Sequence, residues 1–444
     1  MKKIQFLGAS GGVTGSSYLV TGNNGDTILI DLGMFQGEDD REHINFSPLH
    51  LNVSLLKAVF VTHAHLDHCG RLPLLIKQGF NGKIYTTFAT QELINISLQD
   101  AAAVAREKMG PLLYTKEEVK RICDKIEPVS YNAPFTVGSF FINFRDAGHI
   151  LGSASLEISE KNSKTLVFSG DLGNTPEDLI KPTQNLSHAS FVVMESTYGD
   201  KIHSQEDVGN VLQREINEIM KTGGTLLIPA FSIERSQEII HNIGHLKKNN
   251  KINSAIPVFL DSPMAIEVTE VFKKYPQLYN AELAQDIDPF NFPNLILTKE
   301  VLESKAILKH KGAKVIIAGS GMMNGGRILH HISSYISSKT TRVLIVGYQA
   351  IGTLGREILN GAKQITIYNK QVAVQATVTN IESLSSHADY PKLLYWLKSM
   401  RGVEKVFLVH GEETQRATLA EKIRTETNIK EVVLPKIYEE YEIN

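Results

Sequence analysis

The sequence predicts an α/β protein in which a module of short strands is interrupted by an inserted module with a parallel sheet flanked by helices. Three observations carry this expectation. Up to residue 203 the apolar residues fall in short β-branched and aromatic runs joined by irregular links, the texture of sheets. From residue 204 to 363, continuous apolar runs alternate with helical patterns, which implies parallel strands covered on both faces. Beyond residue 363 the strand-rich texture resumes, so the domains read as 1–203, 204–363 and 364–444, with the second inserted into a body formed by the first and third.

In chain order, strands are expected over 4–7, 17–21, 27–30, 58–61, 83–86, 140–144, 155–158, 165–169 and 191–194, with a polar, Ala-rich helical interruption over 91–125. The glycine-rich segment 8–15 reads as a turn between the first two strands. In the inserted module, strands over 225–228, 257–260, 314–317 and 342–346 precede helices over 235–246, 264–274, 327–337 and a short one near Glu357. The final strands are expected over 364–368, 372–379 and 406–409. Ligands of parallel sheets meet the loops beyond the carboxyl ends of the strands. Here those loops are 229–235, 261–263, 319–327 and 347–356, rich in glycine, hydroxyls and arginine, the parts that hold phosphates. No dinucleotide fingerprint accompanies them: Gly319-x-Gly321 is followed by Asn324, and no Gly-Lys-Ser/Thr loop occurs.

A chain of 444 residues has room for two domains or one with a large insertion. With 42% hydrophobic and 21% charged residues, disorder is excluded as the dominant state. The net charge of -2 means that a polyanionic partner must be held by a local basic groove and not by a global field. Two cysteines, Cys69 and Cys123, make a disulfide framework improbable and a reducing compartment the simpler setting. Gln5 and the glycines over 8–15 interrupt any signal-like apolar core at the start, and no run is long enough to span a membrane, so a cytoplasmic location is expected.

The densest chemical signal is Thr62-His63-Ala64-His65-Leu66-Asp67-His68, placed where the strand over 58–61 ends. Imidazole plus carboxylate at this density points to zinc or a neighbouring metal. His149, Asp171 and His410 each follow an apolar strand in the same way. Singly, each of these also fits a satisfied strand-end residue. Together the seven donors exceed what one tetrahedral zinc needs, and with one bridging carboxylate they suit two metals about 3.5–4 Å apart, the spacing that clamps attacking and leaving oxygens in hydrolysis. Cys69, next to His68, could be a ligand, but with histidine and carboxylate donors already plentiful it reads first as a small buried thiol.

At this point the chain resembles the metallo-β-lactamase superfamily, whose His-x-His-x-Asp-His motif is matched by His63, His65, Asp67 and His68. The runs 194–200 (Met-Glu-Ser-Thr-Tyr-Gly-Asp), 385–389 (Ser-Ser-His-Ala-Asp) and 409–412 (Val-His-Gly-Glu) look like markers of its β-CASP branch, the nucleic-acid-processing group that includes the nuclease subunit of the mRNA 3′-end cleavage and polyadenylation specificity factor. The resemblance implies an αββα sandwich carrying an inserted β-CASP α/β domain. It further implies two zinc ions: His63, His65 and His149 on one, Asp67, His68 and His410 on the other, Asp171 bridging, and Asp31 orienting the ligand loop from behind. Histidine at position 410 tilts the implied substrate toward RNA.

The implied reaction is hydrolysis of RNA phosphodiester bonds, as an endonuclease with a 5′-to-3′ exonuclease mode left open, by a hydroxide bridging the metals, leaving 5′-phosphate and 3′-hydroxyl ends. Asp67 would receive the nucleophile's proton, and His387, held by Glu195, would serve the departing 3′ oxygen. Ser232, Arg235, Ser262, Ser320, Arg327 and Arg356 are candidates for holding RNA phosphates; the plainer reading of the arginines is helix capping or pairing with acids. The expected partner is single-stranded RNA, with no membrane, and with a homodimer or an RNA-processing complex as the assembly. Two departures from the family stand out: Glu234 occupies the place of a glycine before Arg235, and the RNA-binding KH modules of archaeal relatives are not seen before the catalytic segment. A DNA nuclease of the same fold, a thioester hydrolase and an inactive RNA-processing scaffold are the competing functions.

Overall fold

Alternation of apolar and polar residues decides the first layers. In the strand Lys3–Phe6, Ile4 and Phe6 are buried while Lys3 and Gln5 are half-buried, and Phe140–Asp146 alternates in the same sense, so each presents one face to a core. Thr27–Ile30 is buried at every position, as expected of a strand covered on both sides. The computed structural model describes residues 1–37, 41–107, 111–174, 179–204, 206–350, 352–381 and 383–443. Its described residues divide into two units, Met1–Ile202 with Ser386–Asn444, and His203–Ser385.

The first unit contains two seven-stranded sheets. One runs Glu440–Glu442, Lys3–Phe6, Tyr18–Thr21, Thr27–Ile30, Leu56–Phe60, Lys83–Thr87, Ile126–Val129; the other runs Glu431–Val433, Lys405–Leu408, Phe191–Met194, Leu166–Phe168, Ala154–Glu160, Phe140–Asp146, Phe135–Val137. They share a core in which Phe6, Ile30 and Phe60 of one sheet meet Phe144, Phe168 and Phe407 of the other, each buried phenylalanine contributing about 1.5–3 kcal/mol. On the outer face of the second sheet, Leu393 and Leu397 of helix Tyr390–Lys398 and Leu419 and Ile423 of helix Glu413–Glu426 pack on Val167, Val192 and Val406. Helix Phe88–Glu107 covers strands Lys83–Thr87 and Ile126–Val129 of the first. The result is an αββα sandwich.

Parallel pairing places the carboxyl ends of key strands side by side. Leu166–Phe168, Phe191–Met194 and Lys405–Leu408 run parallel as neighbours, so Asp171, Glu195 and His410 leave the sheet at one edge. Thr27–Ile30 and Leu56–Phe60 are also parallel, with Ile30 opposite Phe60, which sets Asp31 beside Val61 and Thr62.

The second unit has a six-stranded sheet in the order Leu295–Leu297, Val258–Asp261, Lys314–Ala318, Thr225–Pro229, Thr341–Ile345, Thr377–Asn380, with every neighbour parallel. Two expectations are corrected here. The chain returns to the first unit at Ser386 and not at residue 364, because Thr377–Asn380 pairs with Thr341–Ile345 and the hairpin Gln364–Ile367/Lys370–Ala373 packs Ile365 and Ile367 against Ile332 and Ile358. The helical interruption over 91–125 is two helices, Phe88–Glu107 and Lys116–Cys123, the second begun by a capping box between Thr115 and Glu118; residues 108–110 of that expectation lie outside the described residues. No helix among the described residues is long and apolar enough to cross a membrane.

Candidate active site

The opening cluster is built on a local device. Where Leu56–Phe60 ends, Thr62 donates both its backbone N–H and its hydroxyl to the Asp31 carboxylate, each at 2.8 Å. Asp31 itself sits at φ 55 directly after Thr27–Ile30. The chain then turns into the short helix Leu66–Cys69, with His65 at its N-cap. Gly33 has to be glycine, since a Cβ there would lie 1.5 Å from the Asp67 carbonyl oxygen. The turn after Asp31 and the loop carrying the histidines are therefore packed backbone to backbone.

Two groups of donors result, and they share one residue. In the first, His65 Nδ1 lies 3.1 Å from His63 Nε2 and 3.3 Å from His149 Nε2, while Asp171 Oδ2 is 3.5 Å from His63 Nε2 and 3.7 Å from His149 Nε2. In the second, His68 Nε2 is 3.3 Å from Asp171 Oδ1. His410 Nε2 there stands 3.2 Å from Asp67 Oδ2 and 3.7 Å from Asp171 Oδ2. The seven side chains that sequence reasoning singled out as ligands are thus brought together, with Asp171 between the sets.

Four histidines have their other ring nitrogen held. His68 Nδ1 is 2.8 Å from Asp31 Oδ2, His149 Nδ1 is 3.0 Å from the Ser386 carbonyl oxygen, His63 Nδ1 is 3.1 Å from Thr62 Oγ1 and His410 Nδ1 is 3.0 Å from Thr197 Oγ1. A Nδ1–H donated to a carboxylate or carbonyl leaves Nε2 as a lone-pair donor aimed into the cluster, the arrangement that orients metal-binding imidazoles. Sequence reasoning did not assign Thr197 or the Ser386 carbonyl a role. Nor did it find Ser16, whose hydroxyl is 3.2 Å from His68 Nε2.

Burial and charge set the protonation of the group. Burial pushes His63 and His149 well below the ordinary imidazole value and His65 down to about 4, so these three remain neutral with available lone pairs. For Asp67, burial favours the protonated form, but the His410 hydrogen bond and the neighbouring imidazoles outweigh it and hold its pKa at about 2. Burial also opposes ionisation of Asp171, and His410, His68 and His63 together hold it well below the usual range. His68 is opposed by burial, yet Asp171 and Asp31 lift it well above the usual value, so a cation taking its Nε2 lone pair displaces a proton.

The donor set fits metal. Both carboxylate oxygens of Asp171 are buried without a hydrogen-bond partner, a costly state for an ionised group unless cations occupy its acceptor positions. Cys69 is buried, donates its thiol to the Ala64 carbonyl oxygen at 3.4 Å, and has its pKa raised well above normal by burial, so it does not join the donors.

Beside the cluster, His387 Nδ1 lies 3.2 Å from both oxygens of Glu195 and 3.9 Å from Asp171 Oδ2. Burial opposes its charge, but Glu195 carries its pKa up to about 9. Glu195 is fixed in turn by the backbone N–H of Leu172 at 2.7 Å and that of Thr197 at 3.3 Å.

In the second unit, the expected phosphate contacts divide. Ser232 Oγ and Ser262 Oγ are 3.2 Å apart, and Gly319, which precedes Ser320, faces both across the ends of three strands. Ser262 also caps helix Pro263–Lys274. Arg235 is buried and paired with Glu238. Arg327 donates to Asp261 at 2.7 Å and to the Thr298 and Lys299 carbonyls. Nη1 of Arg235 and both terminal nitrogens of Arg327 thus make the internal pairing that the plainer reading describes. Arg356 is half-buried in helix Leu354–Leu359, N-capped by Thr353; Ile351, in the preceding loop, lies outside the described residues. Glu234 stands at φ 70 and is buried, a backbone region that favours the glycine of the family pattern.

Three family descriptions match the chain: "Metallo-beta-lactamase superfamily" over residues 10–214, "Beta-Casp domain" over 236–358 and "Zn-dependent metallo-hydrolase RNA specificity domain" over 371–435. Over 420 residues it is 36% identical to Ribonuclease TTHA0252 of Thermus thermophilus, an alignment covering 93% of this chain and 94% of the relative. The chain belongs to the β-CASP family of the metallo-β-lactamase superfamily. This β-CASP protein is also 32% identical over 438 residues to RNase aCSPSF2 of Saccharolobus solfataricus, covering 98% of this chain and 84% of that one. It is 30% identical over 440 residues to Transcription termination factor FttA of Methanocaldococcus jannaschii, covering 95% and 69%. A crystal structure of a protein of unknown function from Enterococcus faecalis V583 shares the fold, with a TM-score of 0.56 at 14% identity over 99% of both chains. As a member of this family, the β-CASP protein is a metal-dependent hydrolase.

Proposed function

We propose that this β-CASP protein is a zinc-dependent ribonuclease that cuts phosphodiester bonds within single-stranded RNA, in the cytoplasm. The observation that carries the reading is the pair of donor sets sharing Asp171, flanked by the His387–Glu195 pair. The names of its relatives, Ribonuclease and RNase, support the choice of RNA. His63, His65 and His149 would hold one zinc, Asp67, His68 and His410 a second, and Asp171 both. Such a pair supplies Lewis acidity and makes water a nucleophile at neutral pH.

The side chains do the rest. Asp67, ionised at neutral pH because of its low pKa, accepts the proton that the attacking water loses. His387 carries a proton at neutral pH, and Glu195 holds its Nδ1, so Nε2 is the atom that gives its proton to the departing 3′ oxygen. The new bond is phosphorus to water oxygen and the broken one is phosphorus to O3′, which leaves a 5′-phosphate and a 3′-hydroxyl. Ser232, Ser262, Ser320 and Arg356 are the residues proposed to hold RNA phosphates in the second unit.

A 5′-labelled RNA and the matched DNA, each digested with and without chelator and resolved by size, test the reading. Internal RNA fragments that vanish with chelator and return with zinc are the expected result. Cleavage of DNA alone, or undiminished cleavage in chelator, would overturn it.

A further inference from the structure

The helix Arg235–Lys248 places His241 and His245 one turn apart, so their imidazoles lie on the same face; the ring centroids are 4.1 Å apart. Across from them stands Asp286, which caps the short turn Leu283–Gln285 and is tied by its backbone N–H to the Leu283 carbonyl oxygen at 3.0 Å. That turn is also held by its own contacts. Leu283 is fully buried, and its N–H donates to Asn280 Oδ1 at 2.7 Å. Asp286 Oδ2 lies 2.7 Å from His245 Nε2 and 3.9 Å from His241 Nδ1.

We propose that His241, His245 and Asp286 form a further metal site for a zinc-like divalent cation, separate in sequence and in residues from the Asp171 cluster. Two imidazoles and one carboxylate are a donor set that zinc and its neighbours accept, with water in the fourth position. The geometry is close to what is needed. A tetrahedral ion about 2.1 Å from each ligand asks for ligand separations of about 3.4 Å, and the two separations to Asp286 Oδ2, 2.7 Å and 3.9 Å, straddle that value. They differ from it by about 0.7 Å and about 0.5 Å.

Exposure fits as well. The His241 side chain is 6% exposed, that of Asp286 19% and that of His245 34%, so an ion enters from the His245 side and keeps a water there. Lys248 approaches the same carboxylate, at 3.3 Å, but on Oδ1 and from a side chain that is 71% exposed; such a pair is weak and yields to an ion on Oδ2. Bound metal would clip the helix 235–248 to the segment 280–286, stabilising the second unit by an amount that grows with the logarithm of free metal. The site does not depend on the proposed ribonuclease reaction.

Zinc counting on the full chain tests it. The parent, Asp286→Asn and the double variant His241→Ala/His245→Ala are equilibrated at micromolar free zinc and analysed for metal per chain. Asp286→Asn preserves shape while removing the charge, and far-UV circular dichroism verifies folding of all three. The expected result is one zinc fewer in both variants, with zinc raising the melting temperature of the parent more than that of either variant. Equal zinc counts in the three proteins would show a hydrogen-bonded cluster only and overturn the proposal. A deficit confined to an Asp171→Ala control would leave the Asp171 cluster as the sole zinc site.

Discussion

Replacing Asp31 with Asn removes one charge and almost no volume, at a side chain that touches no candidate ligand atom facing the cluster. Its Oδ1 accepts the Thr62 N–H, and its Oδ2 accepts the Thr62 hydroxyl and faces His68 Nδ1, each at 2.8 Å. Whichever way the amide is turned, its NH2 group meets at least one of these donors, so one hydrogen bond becomes a donor–donor contact in a site that is 1% exposed. Hydrogen bonds to a charged group contribute about 1.5–3 kcal/mol. The His68 imidazole also loses the carboxylate that fixes its tautomer, and partners of this kind tune metal affinity by about 10–100-fold. The two estimates agree, since a tenfold change is about 1.4 kcal/mol. Competition against a chromophoric chelator should therefore show zinc affinity lowered by about 10–100-fold in Asp31→Asn. Unchanged affinity in a folded variant would refute the view that Asp31 orients the cluster from behind.

Three more outcomes are expected. His387→Ala should lower kcat for RNA by about 10²–10⁴-fold while the zinc count stays the same, because His387 belongs to neither set sharing Asp171; full turnover would remove it from the reaction. Gly33→Ala drives a methyl into the Asp67 carbonyl, so it should cost at least about 1–3 kcal/mol in a denaturant melt and reduce bound zinc. Asp261 is held at about 2: burial raises its pKa, but His331, Ser304, Arg327 and Thr298 outweigh that. Its folded-state value lies below its unfolded one, so its stabilisation of about 2 kcal/mol is present above about pH 4 and fades as pH falls through 2. The stability gap between parent and Asp261→Asn should thus narrow on acidification through that window, and a gap independent of pH would contradict it.

What was legible in the sequence follows from range. His63, His65, Asp67 and His68 are neighbours in one loop, and each of His149, Asp171 and His410 follows a recognisable strand, so local pattern alone exposes them. Thr197, Ser16 and the Ser386 carbonyl act through contacts spanning 213, 52 and 237 positions, for which no local pattern exists. The strand Ile126–Val129 contains Pro128 and lies at a sheet edge, where proline is tolerated but the strand signal is weak. Thr377–Asn380 is polar and also an edge strand; its attachment to the second unit comes from the Thr341–Ile345 ladder, which composition does not reveal. Arg327 shows the limit of local pattern from the other side. A glycine-rich loop ending in Arg327 looks like a phosphate cradle until buried Asp261 and two carbonyls are seen to take its donors.

Zinc-edge anomalous diffraction from crystals of the zinc-loaded protein tests the central claim most directly. The account predicts two peaks about 3.5–4 Å apart on either side of Asp171, one against His63, His65 and His149 and the other against Asp67, His68 and His410. A single peak there, or none, would contradict it.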